Sequence, residues 1–233
     1  MKLKHWLASL VVMYVVASAE AQGTFQNLGF ESASLVAIPG DPYARVQFGS
    51  AFPGWVGYVG GVPQTAALYN KIFLDSSGIS IVDDSFGLFS GVIEGNFTAI
   101  LQAGVTGPFA TPADTTLSQT SLVPVGAESL RFRAYSPSGF PLRVVLGGQQ
   151  LSLTPLESGA NYTLYGADIH AWQGQIAQLD FTVLAERPHV NNEYLLLDSI
   201  QFSLQAIPEP SAFGLLGLGV LFFAKWLFSK SRS

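Results

Sequence analysis

Carboxylates are the most numerous side chains in this chain that could carry out acid–base chemistry. Of the 16 acids, all but Glu20 and Glu209 lie between residues 22 and 205. With that many acids in one domain, some pair will meet the carboxyl spacing of a glycosidase by chance. The adjacent pair Asp83 and Asp84 follows a strand-like run, and neighbours on a strand point to opposite faces. On a strand this pair is therefore poorly placed for acid–base catalysis, and we expect Asp83 and Asp84 to have a role in a turn instead.

The sequence contains few residues that could act as nucleophiles or bind a metal through known motifs. The chain has no cysteine, which excludes disulfides, thiolate metal sites and a cysteine nucleophile. Beyond His5, the histidines are His170 and His189, and neither stands in an H-E-x-x-H arrangement. No G-x-S-x-G elbow, phosphate loop or EF-hand loop occurs. A Ser-His-Asp triad stays open because its members need not be adjacent in sequence. We expect no catalytic residue, with a hydrolase as the alternative.

Exposed aromatic rings could bind sugars, because a sugar ring stacks on the face of a tyrosine or tryptophan. Five tyrosines lie in polar or glycine-rich surroundings and are the surface candidates: Tyr43, Tyr58, Tyr69, Tyr162 and Tyr165. The sequence does not choose among them, so it predicts no single ligand-binding residue.

The elements that must position these residues are short strands. Residues 130–135 alternate in type as a half-buried strand does, and further strand-like runs are 67–73, 97–102, 115–121, 176–184 and 194–204. Residues 144–146 and 151–153 flank Gly147-Gly148-Gln149-Gln150, which predicts a hairpin. Glycine and proline separate nearly all the runs, and no helical period is sustained between the two ends. The pattern predicts an all-β antiparallel sandwich or barrel.

The N-terminus carries the pattern of a secretory signal peptide. Lys2 and Lys4 precede an apolar run over residues 6–16, and small residues end at Ala21. This order of basic, apolar and small residues predicts a signal peptide over residues 1–21, with cleavage after Ala19 as the alternative to cleavage after Ala21. An uncleaved anchor helix is the alternative, but the apolar run is short for a membrane span.

The C-terminus carries a second apolar segment. Residues 212–228 contain one charge, Lys225, and their length is at the lower limit for crossing a bilayer. Lys225 can extend to the interface, and Lys230 and Arg232 should remain cytoplasmic. The sequence therefore predicts a transmembrane helix over residues 212–228, followed by a basic tail.

Three features at this end occur in a fixed order: the triplet Pro208-Glu209-Pro210, a glycine-rich apolar segment and a basic end. Together they resemble the PEP-CTERM sorting signal of Gram-negative bacteria, over residues 206–233. The resemblance implies an exosortase as a partner that processes the anchor, and such proteins are often associated with extracellular polysaccharide and biofilm. Lys225 departs from an uninterrupted apolar span, and the alternative is a plain anchor behind a stiff proline turn.

Short segments of the remaining chain, residues 22–205, resemble the galactose-binding-like β-sandwich. This fold is a jelly roll found in carbohydrate-binding modules. The matching segments occur in order along the chain at residues 27–31, 52–55, 117–120, 168–174 and 196–200. The resemblance implies one domain with a single antiparallel β-sandwich, although a fold does not fix a function.

The same resemblance implies a structural calcium ion and two buried tryptophans. Many such modules hold calcium with a glutamate after the first Gly-Phe and an aspartate on the final strand, and Glu31 and Asp198 match these positions. Ser199 stands where the family often has a second acid or amide. The alternative is that Glu31 is a solvated loop residue and Asp198 a turn-facing carboxylate. Trp55 and Trp172 match positions where an aromatic side chain usually fills the core.

The charge of the chain limits its partners. The net charge is −5, and only 12% of residues are charged, against about 25% in an average soluble protein. This excludes a basic nucleic-acid-binding face. We expect an exported, envelope-associated, non-catalytic protein that binds or forms part of extracellular polysaccharide or biofilm matrix. A carbohydrate-active hydrolase and a purely structural surface protein are the alternatives.

Overall fold

The structure is a computed structural model, and it describes residues 24–73, 75–88, 91–107, 110–136, 142–185 and 194–207. Three predicted features lie outside these residues: the signal peptide over 1–21, the triplet Pro208-Glu209-Pro210 and the transmembrane helix over 212–228. Within the described ranges, no helix is both long enough and apolar enough to cross a membrane.

Short strands account for most of the regular secondary structure in the described residues. In chain order they are β1 (Val46–Gln47), β2 (Val56–Val59), β3 (Val62–Pro63), β4 (Ala66–Tyr69), β5 (Gly78–Val82), β6 (Thr98–Gln102), β7 (Gly104–Thr106), β8 (Thr111–Ala113), β9 (Thr115–Leu122), β10 (Ser129–Tyr135), β11 (Leu142–Leu146), β12 (Gln149–Gln150), β13 (Thr154–Ser158), β14 (Thr163–Asp168), β15 (Ile176–Val183) and β16 (Tyr194–Ser203). One helical turn, α1 (Phe48–Ala51), follows β1, and a 3₁₀ turn spans His170–Trp172.

The strands form two large sheets and one two-stranded sheet. The larger sheet has eight strands in the order β1-β4-β5-β6-β16-β10-β14-β13, and the second has six in the order β12-β11-β15-β9-β2-β3. Strands β7 and β8 pair with each other. The pairing is antiparallel except between β4 and β5, where Leu68 and Tyr69 pair in parallel with Ser80 and Ile81. The all-β prediction is confirmed, with this one parallel pair as a departure from a purely antiparallel sandwich.

The core lies between the two large sheets. Phe132 of the eight-stranded sheet and Phe181 of the six-stranded sheet are both fully buried, and their rings meet edge to face at 5.1 Å between centroids. Trp55, which is also buried, packs against Phe181 and Phe30. One continuous apolar cluster thus joins both sheets and the N-terminal segment, which makes the domain a β-sandwich.

A second, smaller cluster covers part of the outer face of the eight-stranded sheet. Val82, Ile100, Leu196 and Tyr194 of the sheet pack there with Phe86 from the segment after β5. Strands β6 and β16 are therefore buried on both faces, which explains why Leu195, Leu196 and Leu197 follow one another without polar alternation.

The predicted hairpin forms, but its bounds differ from the prediction. Strand β11 ends at Leu146 and β12 begins at Gln149, so the turn consists of Gly147 and Gly148 alone. Both glycines have positive φ values, 57° and 82°, as a type I′ turn requires. The prediction of a strand at residues 151–153 is wrong, because the tight glycine turn brings the returning strand two residues earlier.

Candidate functional site

The structure places Glu31 and Asp198 on the same small cleft. The cleft has a volume of about 210 Å³ and lies between the N-terminal segment, the loop before β6 and the middle of β16. Gly29 lies between the two side chains: a Cβ atom added to it would be 3.9 Å from Asp198 Oδ1 and 4.0 Å from Glu31 Cγ. Two residues that are far apart in sequence thus border one site, as the resemblance implies.

Asp198 is held in place by a β-bulge. Arg131 pairs with Gln201, whereas Arg133 pairs with Asp198, so β16 carries one extra residue at this point. The extra length is taken up near Ser199, whose φ of 50° is in the left-handed region. A bulge redirects the side chains beside it, and here it accompanies the burial of a carboxylate within the last strand.

The carboxylate of Asp198 is almost fully buried and accepts three hydrogen bonds. Thr98 Oγ1 donates at 2.7 Å and Glu94 N at 3.2 Å to Oδ2, and Ser199 N donates at 2.7 Å to Oδ1. Burial raises the pKa of Asp198 to about 7, and the nearby charge of Glu31 acts in the same direction. The three hydrogen bonds act in the opposite direction and offset part of the shift.

The side chain of Glu31 binds the loop before β6, so Glu31 is not simply a solvated loop residue. Its carboxylate accepts hydrogen bonds from Asn96 N at 2.9 Å, Asn96 Nδ2 at 2.8 Å and Phe97 N at 3.1 Å. The loop backbone is so close that a Cβ atom at Gly95 would lie 2.3 Å from Glu31 Oε1. Successive backbone N–H groups that point at one anion form a nest, and Glu31 occupies it.

Glu94 is a third carboxylate at the cleft, which the sequence analysis missed. It pairs with the guanidinium of Arg133 and accepts a hydrogen bond from the hydroxyl of Ser199. The Arg133 hydrogen bond, followed by that of Ser199, holds the pKa of Glu94 below its usual range. The only local signal in the sequence is the turn pattern Glu94-Gly95-Asn96, and nothing in it links Glu94 to the other two acids.

The donor set suits a hard cation in kind, since carboxylate oxygens are the ligands that calcium prefers. However, in the part of the chain that the structure describes, no three His, Cys, Asp or Glu side chains converge as a metal-binding group. The oxygens of Glu31 and Asp198 already accept hydrogen bonds from the loop over residues 94–98. A calcium ion at Glu31 and Asp198 stays a prediction.

The tryptophans and tyrosines differ in exposure. Trp55 is buried as predicted, and its Nε1 donates to Asn27 O at 3.1 Å. Trp172 is only half-buried, which corrects the prediction of burial: its indole packs over the turn at Gly147, where an added Cβ would lie 2.6 Å from Nε1. Tyr43 is the most accessible of the five candidate tyrosines, with 52% of its surface exposed, and the other four are half-buried.

The residues considered for catalysis have structural contacts. Asp83 accepts hydrogen bonds from Ser85 N at 2.9 Å and Ser85 Oγ at 2.7 Å, which confirms its predicted role in a turn. His170 lies on the exposed 3₁₀ turn, where its Nδ1 is 3.2 Å from a carboxylate oxygen of Glu128. His189 lies outside the described residues.

Comparison with known proteins identifies the C-terminal segment. Residues 206–230 match a family model described as the PEP-CTERM protein-sorting motif. The predicted triplet Pro208-Glu209-Pro210 falls within that match. No curated protein and no solved structure matches the chain. The matched motif indicates an exported, membrane-associated protein that an exosortase sorts.

Proposed function

We propose that this protein is a non-catalytic component of the cell envelope or extracellular matrix of a Gram-negative bacterium, where its β-sandwich binds extracellular polysaccharide. The observation that carries the proposal is a β-sandwich whose last strand, β16, ends at Ser203, directly before the matched sorting motif over residues 206–230. The anchor over residues 212–228 holds the protein at the membrane until the exosortase acts.

The charge of the domain supports a neutral partner. Residues 22–205 contain 14 of the 16 acids and six of the 11 bases, so the domain is acidic and poor in charge. An acidic surface repels nucleic acid and anionic lipid, whereas neutral sugars are recognised by aromatic rings and by hydrogen bonds. The resemblance to the galactose-binding-like jelly roll supports the same partner by analogy alone.

A glycan array tests the proposal. The full chain, purified in a sugar-free detergent, should bind at least one neutral bacterial or plant polysaccharide, with and without calcium. No binding to any polysaccharide on the array would overturn the sugar-binding proposal and leave a structural role in the envelope. Turnover of a panel of chromogenic glycosides would contradict the non-catalytic part of the proposal and favour the hydrolase alternative.

A further inference from the structure

We propose that a groove at the edge of the eight-stranded sheet, bounded by Tyr43 and Phe73, is the site that binds neutral sugar residues of a polysaccharide. This inference rests on the proposed function and assigns it to a place in the fold. The groove has a volume of about 500 Å³, enough for a sugar-sized ligand, and lies beside β4 and β5, where the parallel pair begins.

Two aromatic rings at the groove, those of Tyr43 and Phe73, are exposed. Tyr43 exposes 52% of its surface and Phe73 exposes 38%. Their rings meet edge to face, with 5.5 Å between centroids and an angle of 74°. Adjacent exposed rings of this kind give the apolar contact area that a sugar ring needs on one of its faces.

The loop that carries Tyr43 is fixed before any ligand binds. The carboxylate of Asp41 accepts hydrogen bonds from Tyr43 N at 2.9 Å and Arg45 N at 3.1 Å. Lys71 Nζ donates to Tyr43 O at 3.0 Å, which ties this loop to the segment that carries Phe73. A binding loop that is already ordered loses less conformational entropy when the ligand binds.

Polar groups line the groove beside the two rings. Arg45, Gln64, Ser76 and Ser77 all border it. Gln64 Nε2 donates to Val62 O at 2.8 Å and Ser77 Oγ donates to Ala113 O at 2.8 Å, so both side chains are held in place. The carbonyl oxygen of Gln64 and the hydroxyl oxygen of Ser77 can accept hydrogen bonds, as sugar hydroxyl groups require.

The ion pair between Arg45 and Asp41 favours a neutral ligand over an anionic one, because Asp41 already balances the charge of Arg45. Arg45 Nη2 lies 2.6 Å from Asp41 Oδ2, and its Nε donates to the same oxygen at 2.9 Å. These two hydrogen bonds to one carboxylate oxygen lower the pKa of Asp41 to about 2, and the charged acid balances Arg45 at neutral pH. A phosphate or uronate would have to compete with Asp41, whereas a neutral sugar would not.

Affinity measurements on single variants of the full chain test the assignment. The probes are soluble dextran, galactan, mannan and xylan, with polygalacturonate as the acidic comparison. For the neutral polysaccharide that the wild type binds best, Tyr43→Ala and Phe73→Ala should each weaken binding at least about tenfold. Tyr43→Phe, which keeps the ring, should bind within about threefold of the wild type. Binding should change little between about 50 mM and about 500 mM salt, because no net charge is involved.

Tyr58→Ala is the matched control, because Tyr58 is a half-buried tyrosine on β2 of the other sheet. Unchanged melting temperatures of all four variants would show that losses of binding are local. If Tyr43→Ala and Phe73→Ala bind as tightly as the wild type, or if Tyr58→Ala loses binding, the assignment of the site to this groove is overturned. The proposed function would still stand. Salt-sensitive binding to polygalacturonate alone would overturn the neutral class of ligand. No wild-type binding to any probe would overturn the proposed function itself.

Discussion

At the scale of single residues, Asp83 shows how hydrogen bonding determines the protonation of a half-buried acid. Its carboxylate accepts hydrogen bonds from the Tyr69 hydroxyl, from Asn70 Nδ2 at 2.8 Å and from Ser85. Burial opposes ionisation, but the hydrogen bonds from Tyr69, Ser85 and Asn70 outweigh it and hold the pKa of Asp83 below its usual range.

This lowered pKa predicts a pH-dependent stability. Because the folded pKa lies below the unfolded value of 3.8, the stabilisation is complete above that pH and is lost as the pH falls below it. Asp83→Asn should lower the free energy of unfolding by about 1–2 kcal/mol at neutral pH and by less at about pH 3. Urea unfolding at the two pH values measures this. The exposed neighbour gives the control, Asp84→Asn, and an equal loss in both variants would contradict the account.

The predicted calcium site gives a second test at this scale. If calcium binds at Glu31 and Asp198, calcium should raise the melting temperature of the wild type above its value in chelator, because a ligand of the folded state stabilises it. Asp198→Asn should abolish that difference, and Asp84→Asn should keep it. Equal melting temperatures of the wild type in calcium and in chelator would dismiss the site.

At the scale of elements, the contact between β2 and α1 depends on a glycine. A Cβ atom at Gly57 would lie 2.3 Å from Phe48 Cζ and 2.5 Å from Ile79 Cδ1. Phe48 and Ile79 belong to the core, so neither side chain can move without disturbing its packing. Strand β2 of the six-stranded sheet can therefore approach α1 and β5 this closely only because Gly57 has no side chain.

Gly57→Ala should lower the free energy of unfolding by about 1–3 kcal/mol, because it overpacks the core at this contact. Gly49→Ala is the matched control: Gly49 lies within α1, and an added Cβ there meets no atom within 4 Å. Chemical denaturation of both variants measures the difference. A loss in Gly49→Ala as large as that in Gly57→Ala would show that the close approach is not the cause.

The sequence predicts elements well where one face of a strand is buried and the other is not. Residues 130–135 alternate, and β10 spans Ser129–Tyr135 with alternating burial. Hydrophobic alternation does not fix the bounds of a strand next to a tight turn, as at residues 151–153, because the two turn glycines, Gly147 and Gly148, set where the returning strand begins. The parallel pairing of β4 with β5 leaves no local signal, since both strands would look the same in an antiparallel pair.

At the scale of the whole molecule, the sites assemble from distant segments, which limits what sequence alone can predict. From the sequence, only a family resemblance placed Glu31 and Asp198 at one site. Glu94 was identified as a third carboxylate there only from the fold. Tyr43 and Phe73 border one groove. The sequence indicates Tyr43 only as one of five candidate tyrosines and gives no sign of Phe73. Composition restricts the class of partner, whereas the position of a site depends on contacts between strands that are remote in sequence.

The matched motif over residues 206–230 directs the sorting of the protein, whereas the predicted signal peptide over residues 1–21 would direct its export. The fraction of the protein that co-sediments with extracellular polysaccharide, in cultures of an exosortase-bearing host, measures whether the sorted protein joins the matrix. We predict that the wild type is enriched in the polysaccharide fraction, and that replacing Pro208, Glu209 and Pro210 with alanine leaves the protein in the membrane fraction. An equal distribution of the two proteins between these fractions would contradict the account.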